Sequence, residues 1–200
     1  MKTQSVLEGL YGEFLEDLSS NNAIGCLLNC YIREYALPRN EVNVDAVANE
    51  APMALRLAAV KSGQLVAIQF PESKARLLIR ADRVSVLSRC RFVTKPYLKT
   101  PGKAWFPVQA EELCRFMLKH LSLTETDSFN EELFEQVVNS IDVTTQFLHH
   151  HDNRSQNDDS FIGSEQSLLW GHAMHPAPKS RHGVMMADML DCSPETASSF

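Results

Sequence analysis

Apolar residues recur at helical spacing at the start of the chain, at Val6, Leu7, Leu10, Phe14 and Leu18. Acidic residues lie on the other side, which is the pattern of an amphipathic surface helix. A second helix is predicted over residues 24–35, because Asn21 or Asn22 can cap its first turn and Pro38 ends it. We therefore expect two packed helices to open the chain.

From residue 65 the spacing of apolar residues changes to every second position. Runs of this kind cover residues 65–70, 76–80 and 84–93, and short turns separate them. Strands so close in sequence pair antiparallel, since a parallel pair needs a crossover of about a dozen residues or more. The chain is therefore predicted to be α+β, with helices followed by an antiparallel meander.

Helical spacing returns after the turn at Pro101 and Gly102, with apolar residues at Leu113, Phe116, Met117 and Leu121. Acids in the first turn, and Lys119 and His120 in the last, suit the helix dipole. A further long helix is expected to follow Asn130 and to end within residues 149–154. Because residues 153–160 contain no apolar side chain, we expect a boundary between one domain, residues 1–160, and the beginning of another, residues 161–200.

Charge and composition narrow the range of functions. The 200 residues have a formal net charge of −6 with acids and bases interspersed, which suits neither nucleic acid nor an anionic membrane. Acidic residues interrupt the beginning of the chain, and no uncharged stretch has membrane-spanning length, so we expect a cytoplasmic protein. The five cysteines include no Cys-x-x-Cys pair, which favours reduced, mostly buried thiols.

One basic segment carries the candidate chemistry. Residues 172–183 contain three histidines, a lysine and an arginine but no acid, in a chain that is acidic as a whole. Pro176 and Pro178 exclude a continuous helix, so these groups are expected on a loop, where Gly171 and Gly183 allow close approach of the main chain. Guanidinium, ammonium and imidazole groups bind phosphate or carboxylate. A solvated basic surface without a ligand is the alternative interpretation.

The spacing within this segment resembles a family signature. Residues 171–183 read Gly-His-x-x-His-Pro-x-x-Lys-x-Arg-x-Gly, with Glu165 before them and Ser193-Pro194-Glu195 after them. This string resembles the signature of the siderophore synthetases of the IucA/IucC type, which work without a nonribosomal peptide template. The helices and strands before it are compatible with that family but do not identify it.

The resemblance implies a reaction and an architecture. Members of the family activate a carboxylate of citrate, or of a related dicarboxylic acid, with ATP and Mg²⁺, and an amine or hydroxyl then attacks the acyl-adenylate to give an amide or ester. Their three parts are called thumb, fingers and palm. On that pattern residues 1–160 form a thumb-like α+β domain, and residues 161–200 begin the fingers.

The family's functional residues can be placed on matching positions here. The resemblance makes His175 the residue that contacts the ATP phosphates and the carboxylate as the acyl-adenylate forms. It gives Lys179 and Arg181 the binding of phosphate or carboxylate, and Gly171 and His172 the shaping of the loop. Which of the two histidines is catalytic stays open.

Members of the family are several hundred residues long, so this chain is expected to be an incomplete N-terminal part, inactive alone, with the magnesium ligands outside it. No metal site is predicted within it, because the consecutive histidines at 149–151 point in different directions on a helix. Self-association, or pairing with a complementary C-terminal chain, stays open. The alternative function is a non-catalytic interaction module, or half of a split enzyme, that binds such a chain.

Overall fold

The computed structural model describes residues 2–44, 51–58, 63–85, 89–126, 128–152, 169–181, 183–184 and 187–188. Four α-helices, two π-helical turns (Ile32–Ala36 and Ser122–Thr126) and six strands lie in these ranges. They are α1 (Lys2–Tyr31), β1 (Val42–Val44), α2 (Met53–Ala58), β2 (Gln64–Phe70), β3 (Ala75–Arg83), β4 (Arg91–Phe92), β5 (Tyr97–Lys99), β6 (Phe106–Pro107), α3 (Ala110–Leu121) and α4 (Glu131–Asp152). The fold is α+β, as predicted.

The expectation of two opening helices is wrong, because α1 runs unbroken through Asn21 and Asn22. Asn21 is exposed on the helix surface, whereas Ile24 and Leu28 just beyond it are buried in the core. An Asn inside a helix costs less than about 1 kcal/mol relative to Ala, so the burial of the following turns outweighs its tendency to cap. A π-helical turn, Ile32–Ala36, extends α1 and ends before Pro38, as the sequence predicted.

Within the described ranges all strand pairs are antiparallel, and the order across the sheet is β1-β2-β3-β5-β6, with β4 paired to the end of β3. The central hairpin pairs Gln64 with Ala81 at one end and Phe70 with Ala75 at the other. The predicted meander is therefore confirmed for its first two strands. Strands β1, β5 and β6, and the short helix α2, were not predicted from the pattern.

The predicted strand over residues 84–93 is wrong over most of its described length. Only Arg91–Phe92 forms a strand, which pairs with the end of β3. Just before it, Cys90 donates its N–H to Asn29 Oδ1 at 2.7 Å, and its carbonyl accepts from Asn29 Nδ2 at 3.1 Å. A side chain of α1 thus takes the place of a neighbouring strand at Cys90. Residues 86–88 lie outside the described residues.

Helices α3 and α4 confirm the two later helical predictions. Gln109 N–H donates to Glu112 Oε2 at 3.2 Å at the start of α3, and Leu133 N–H donates to Asn130 Oδ1 at 2.9 Å at the start of α4. Both contacts satisfy backbone donors that a first helical turn leaves unpaired. The polar stretch 153–160 lies outside the described residues.

The sheet separates a large core from a small one. Side chains of β2 alternate, so that Val66 and Ile68 pack with α1, α3 and α4, whereas Leu65 and Ala67 pack with Leu55 of α2 on the opposite face. Long helices therefore cover one face of the sheet, and α2 covers part of the other. In the described part of the chain, no helix combines the length and the apolar character needed to cross a bilayer.

Candidate anion-binding loop

Residues 169–181 form a non-helical loop, as the two prolines predicted, and buried side chains hold it against the helices. Leu169 is 6% exposed in a small cluster with Leu15 of α1 and with Phe147 of α4. Ala177 is 5% exposed and belongs to the large core. The loop is thus fixed at two points on the helical layer.

Polar side chains of α4 hold the end of the loop. Lys179 N–H donates to Ser140 Oγ at 3.1 Å, and Arg181 N–H donates to Asn139 Oδ1 at 2.7 Å. Ser140 is 4% exposed, so the first of these bonds is buried. These two adjacent polar residues interrupt the apolar face of α4, and that interruption is the sequence signal from which the docking position could have been recognised.

Backbone acceptors of the loop also face α1. The Asn22 amide donates to the carbonyl of Trp170 at 3.5 Å, and the Cys26 thiol makes a weak contact of 4.0 Å to the carbonyl of His172. The thiol is protonated at neutral pH, because burial raises the pKa of Cys26 to about 11. Sequence reasoning assigned no part in the loop to these residues. No feature of the neighbouring sequence marks either residue as a partner of the loop.

Gly171 is required by the backbone of the loop. Its φ is +68°, and a Cβ placed on it would lie 2.7 Å from Cβ of Pro178. A side chain at this position would meet both backbone strain and a steric clash. Gly183 also has a positive φ, of +85°, but a Cβ there would meet no atom within 4 Å.

The two histidines at 172 and 175 have the same arrangement. Both are exposed, and each accepts a backbone hydrogen bond at Nδ1, from Met174 N–H at 3.3 Å and from Ala177 N–H at 3.1 Å respectively. A neutral imidazole that accepts at Nδ1 must have its proton on Nε2. Each ring therefore offers an Nε2–H donor to a ligand, and His175 N–H donates to His172 O at 3.1 Å to close the turn between them.

The two cationic residues differ from each other in burial. Lys179 is 7% exposed, and its Nζ lies 6.0 Å from the centre of the Phe147 ring. Arg181 is half-buried, and its Nη1 donates to Ser180 O at 3.2 Å. The loop therefore presents the two imidazoles outward and one guanidinium partly outward, whereas the lysine ammonium is packed against α4. His182 lies outside the described residues.

Four cysteines fall in the described ranges, and all four are free thiols: Cys26, Cys30, Cys90 and Cys114. Three of them, Cys26, Cys90 and Cys114, are buried, and Cys30 is partly buried. Cys192 lies outside the described residues. Within the described ranges no group of three or more His, Cys, Asp or Glu side chains is arranged to hold a metal ion.

Comparison with known sequences places the end of the chain in a family. The sequence model of the IucA / IucC family matches residues 160–200. The rhizobactin siderophore biosynthesis protein RhbC of Rhizobium meliloti (strain 1021) is 49% identical over 41 residues, which cover 20% of this chain and 7% of that protein. The L-2,3-diaminopropanoate–citrate ligase of Staphylococcus aureus (strain NCTC 8325 / PS 47) is 38% identical over 69 residues, 34% of this chain and 12% of the ligase. The spermidine–citrate ligase of Bacillus anthracis is 34% identical over 90 residues, 40% of this chain and 14% of that ligase.

Solved structures extend the likeness to most of the fold. Aerobactin synthetase IucA from a hypervirulent pathotype of Klebsiella pneumoniae superposes with a TM-score of 0.64 and 24% identity over 88% of this chain and 30% of that one. Its ATP-bound form gives a TM-score of 0.63 at 23% identity. At these identities the superposition shows a shared fold only. The chain spans between 7% and 14% of the length of the curated relatives named above. Residues 160–200 thus match the IucA/IucC family, and the signature of residues 171–183 lies within that match.

Proposed function

We propose that this chain is part of a siderophore synthetase that uses ATP to adenylate a citrate-type carboxylate and then joins it to an amine or hydroxyl. The observation that carries the proposal is the loop of residues 169–181, because its two outward imidazoles lie inside the segment that matches the family model. The names of two relatives support the substrate class, since both are citrate ligases, one acting with L-2,3-diaminopropanoate and the other with spermidine.

The chemistry requires donors at developing negative charge. Attack of a carboxylate oxygen on the α-phosphorus of ATP forms a new P–O bond, and pyrophosphate leaves. Negative charge grows on the phosphoryl oxygens during this step, and fixed hydrogen-bond donors stabilise it without reorganising. The Nε2–H groups of His172 and His175 are donors of this kind, because backbone N–H groups at Nδ1 fix the tautomer of each ring. We assign the direct contact to His175 and the shaping of the loop to Gly171 and His172.

Some residues of the loop are placed to bind an ATP phosphate or a carboxylate, and one is not. His172 and His175 are exposed, which leaves them available to an anion, and Arg181 is partly exposed. Lys179 does not fit in its present position, because its ammonium is buried over the Phe147 ring. Its proposed role in anion binding requires the ammonium to leave that ring. For Mg²⁺ the described residues offer no cluster of ligands, so we expect the magnesium ligands elsewhere in the enzyme.

We further propose that residues 1–160 act as the thumb-like domain and that residues 161–200 begin the fingers. The contacts of Asn139 and Ser140 with the loop would then join the two parts. A loop held in this way has little freedom to adjust when an anion arrives. Such a pre-ordered site avoids the entropy cost of ordering donors during binding.

The test is citrate-dependent release of pyrophosphate by the native polypeptide that contains this chain. We expect His175→Ala to lower that rate by about 10²–10³-fold, the usual cost of removing one donor from a site of this type. His150→Ala is the matched control, since His150 lies on α4 and is not part of the loop. Wild-type rates in His175→Ala would contradict the assigned role. A native polypeptide of 22.5 kDa without turnover would favour the non-catalytic interaction module instead.

A further inference from the structure

A polar cavity of about 380 Å³ lies apart from the basic loop, at the C-terminal ends of α1 and α3. Its walls include Tyr31, Arg39, Glu41, Glu72, His120 and Thr124. Two of its lining residues, Tyr31 and Leu121, also line a smaller apolar cavity of about 130 Å³ that reaches Pro176 of the loop. The polar cavity is therefore a neighbour of the loop but shares no lining residue with it.

His120 is the unusual group in this cavity. It is 3% exposed, and its buried Nδ1 has no hydrogen-bond partner in the described part of the chain. Its ring stands edge-on to the ring of Phe70, with centroids 5.1 Å apart. A buried polar atom without a partner costs about 1–3 kcal/mol. A molecule in the cavity does not reach Nδ1, which is sealed from solvent, but Nε2 of the same ring is not among the buried atoms without a partner and lies on a residue that lines the cavity.

The imidazole of His120 is neutral at physiological pH. Burial lowers its pKa, the Glu72 carboxylate opposes that change, and Arg39 adds to it. A neutral imidazole has one nitrogen that donates and one that accepts. With its proton on Nδ1, His120 is able to accept at Nε2 a hydrogen bond from a donor inside the cavity.

The charges around the cavity favour a cation. Glu41 and Glu72 bring two carboxylates and Arg39 one guanidinium, so these three residues together contribute one negative charge. The pKa of the Glu41 carboxyl is raised above its usual value. Burial is the main cause, the Glu72 carboxylate adds to it, and Arg39 opposes it. The guanidinium of Arg39 lies 5.4 Å from the centre of the Tyr35 ring. A cation placed between the two carboxylates would relieve both the burial cost and the mutual repulsion.

The size of the cavity argues for a molecule larger than water. A water molecule occupies about 30 Å³ of liquid, less than a tenth of a space of 380 Å³. Pockets for small ligands begin at about 300 Å³ and combine a few polar groups with apolar walls. Here Pro71, Leu121 and Leu123 supply the apolar part of the wall.

We propose that this cavity binds a small primary ammonium compound, whose cationic head lies between Glu41 and Glu72 and whose N–H donates to the imidazole of His120. This proposal does not rest on the proposed synthetase activity. The site lies between the end of α1, the β2–β3 turn and the C-terminal end of α3, so a bound ligand joins three separate segments of the fold.

The probe for the test is 1,4-diaminobutane, and 1,4-butanediol is the uncharged control of the same length. Titration of the full chain, followed by proton NMR of the seven histidine rings, should show a saturable shift of one ring signal. His120→Gln assigns that signal by removing it. The dissociation constant is measured in parallel by calorimetry.

Glu72→Gln should weaken binding of the diamine by about two- to fivefold, because it removes one ion pair with an exposed carboxylate. Glu72 is exposed in the β2–β3 turn, so this variant should retain the fold, which circular dichroism checks. Glu131→Gln, an exposed acid at the start of α4, is the matched control and should leave the affinity unchanged. The absence of a saturable shift, an equal response to butanediol, or unchanged affinity in Glu72→Gln would each overturn the proposal. None of these readouts depends on release of pyrophosphate.

Discussion

Asn139 holds the end of the basic loop, and its removal should release that segment. Its Oδ1 accepts from Arg181 N–H at 2.7 Å and lies 3.3 Å from Ser180 Oγ. Asn139→Ala removes both contacts and leaves a half-buried N–H without its partner. The cost of a lost partner at such a group is about 1–3 kcal/mol. Because 1.4 kcal/mol is a factor of ten, the opening equilibrium of the loop should increase by about fivefold to 150-fold.

Amide hydrogen exchange measures this opening directly. We expect the amide of Arg181 to exchange faster in Asn139→Ala by the same factor, whereas amides in the middle of β2 should keep their protection. Asn139→Asp keeps an acceptor at Oδ1 and should restore much of the protection. Gln146→Ala, an exposed change on the same helix, is the control for helix effects. Unchanged exchange at Arg181 in Asn139→Ala would refute the view that α4 positions the loop.

Three further changes test the backbone, a buried thiol and a buried cation. Gly171→Ala should lower the free energy of unfolding by about 1–3 kcal/mol in urea titrations. It should cost more than Gly102→Ala, where φ is +74° but no atom is near, because only Gly171 faces Pro178. Burial raises the pKa of the Cys114 thiol from 9.0 to about 12. The neutral thiol therefore contributes its full share of the folding stability below about pH 9, and this share is lost as the pH rises toward 12. The urea midpoint should therefore fall less steeply above pH 9 in Cys114→Ala than in the parent, and equal slopes would contradict this account. Arg80→Met should lower the free energy of unfolding by about 2–4 kcal/mol in the same titrations. The Arg80 side chain is 5% exposed and donates to two backbone carbonyls, which would lose their partner. A change under about 0.5 kcal/mol would show that these carbonyls find other partners.

The spacing of apolar and polar residues predicted correctly those elements whose conformation depends on nearby residues. The later helices were found because Asn130 supplies a cap and because the apolar residues of each helix follow one face. The central hairpin was found because the side chains of β2 and β3 alternate and only a short turn separates the two strands. In these elements the sequence neighbours that determine the conformation lie within about one helical turn or one hairpin.

The errors arose where distant residues determine the local structure. Asn21 has the chemistry of a cap, but burial of the next turns against the sheet keeps α1 continuous. The strand expected near Cys90 is largely absent from its described part because Asn29, 61 positions earlier, takes up the backbone groups of Cys90.

The candidate site also combines features that nearby residues determine with features that distant residues determine. The loop and its exposed histidines follow from the local sequence, through the prolines and the spacing of the family signature. The burial of Lys179 does not, because it depends on Phe147 lying beneath the ammonium after α4 has packed. Asn139 and Ser140 are visible in the sequence as an interruption of the apolar face of α4, but their partners, the backbone N–H groups of Arg181 and Lys179, become evident only once α4 and the loop are packed together.

The two outer strands of the sheet have a consequence for behaviour at high concentration. An exposed strand edge is a template on which a second copy of a chain can add, and this is a common route to aggregation. Here the outer strands β1 and β6 contain only three and two residues. In β6 one of the two is Pro107, which has no N–H to donate. Replacing Pro107 with Val should therefore make the chain more prone to form intermolecular sheets on storage, although the core would be unchanged.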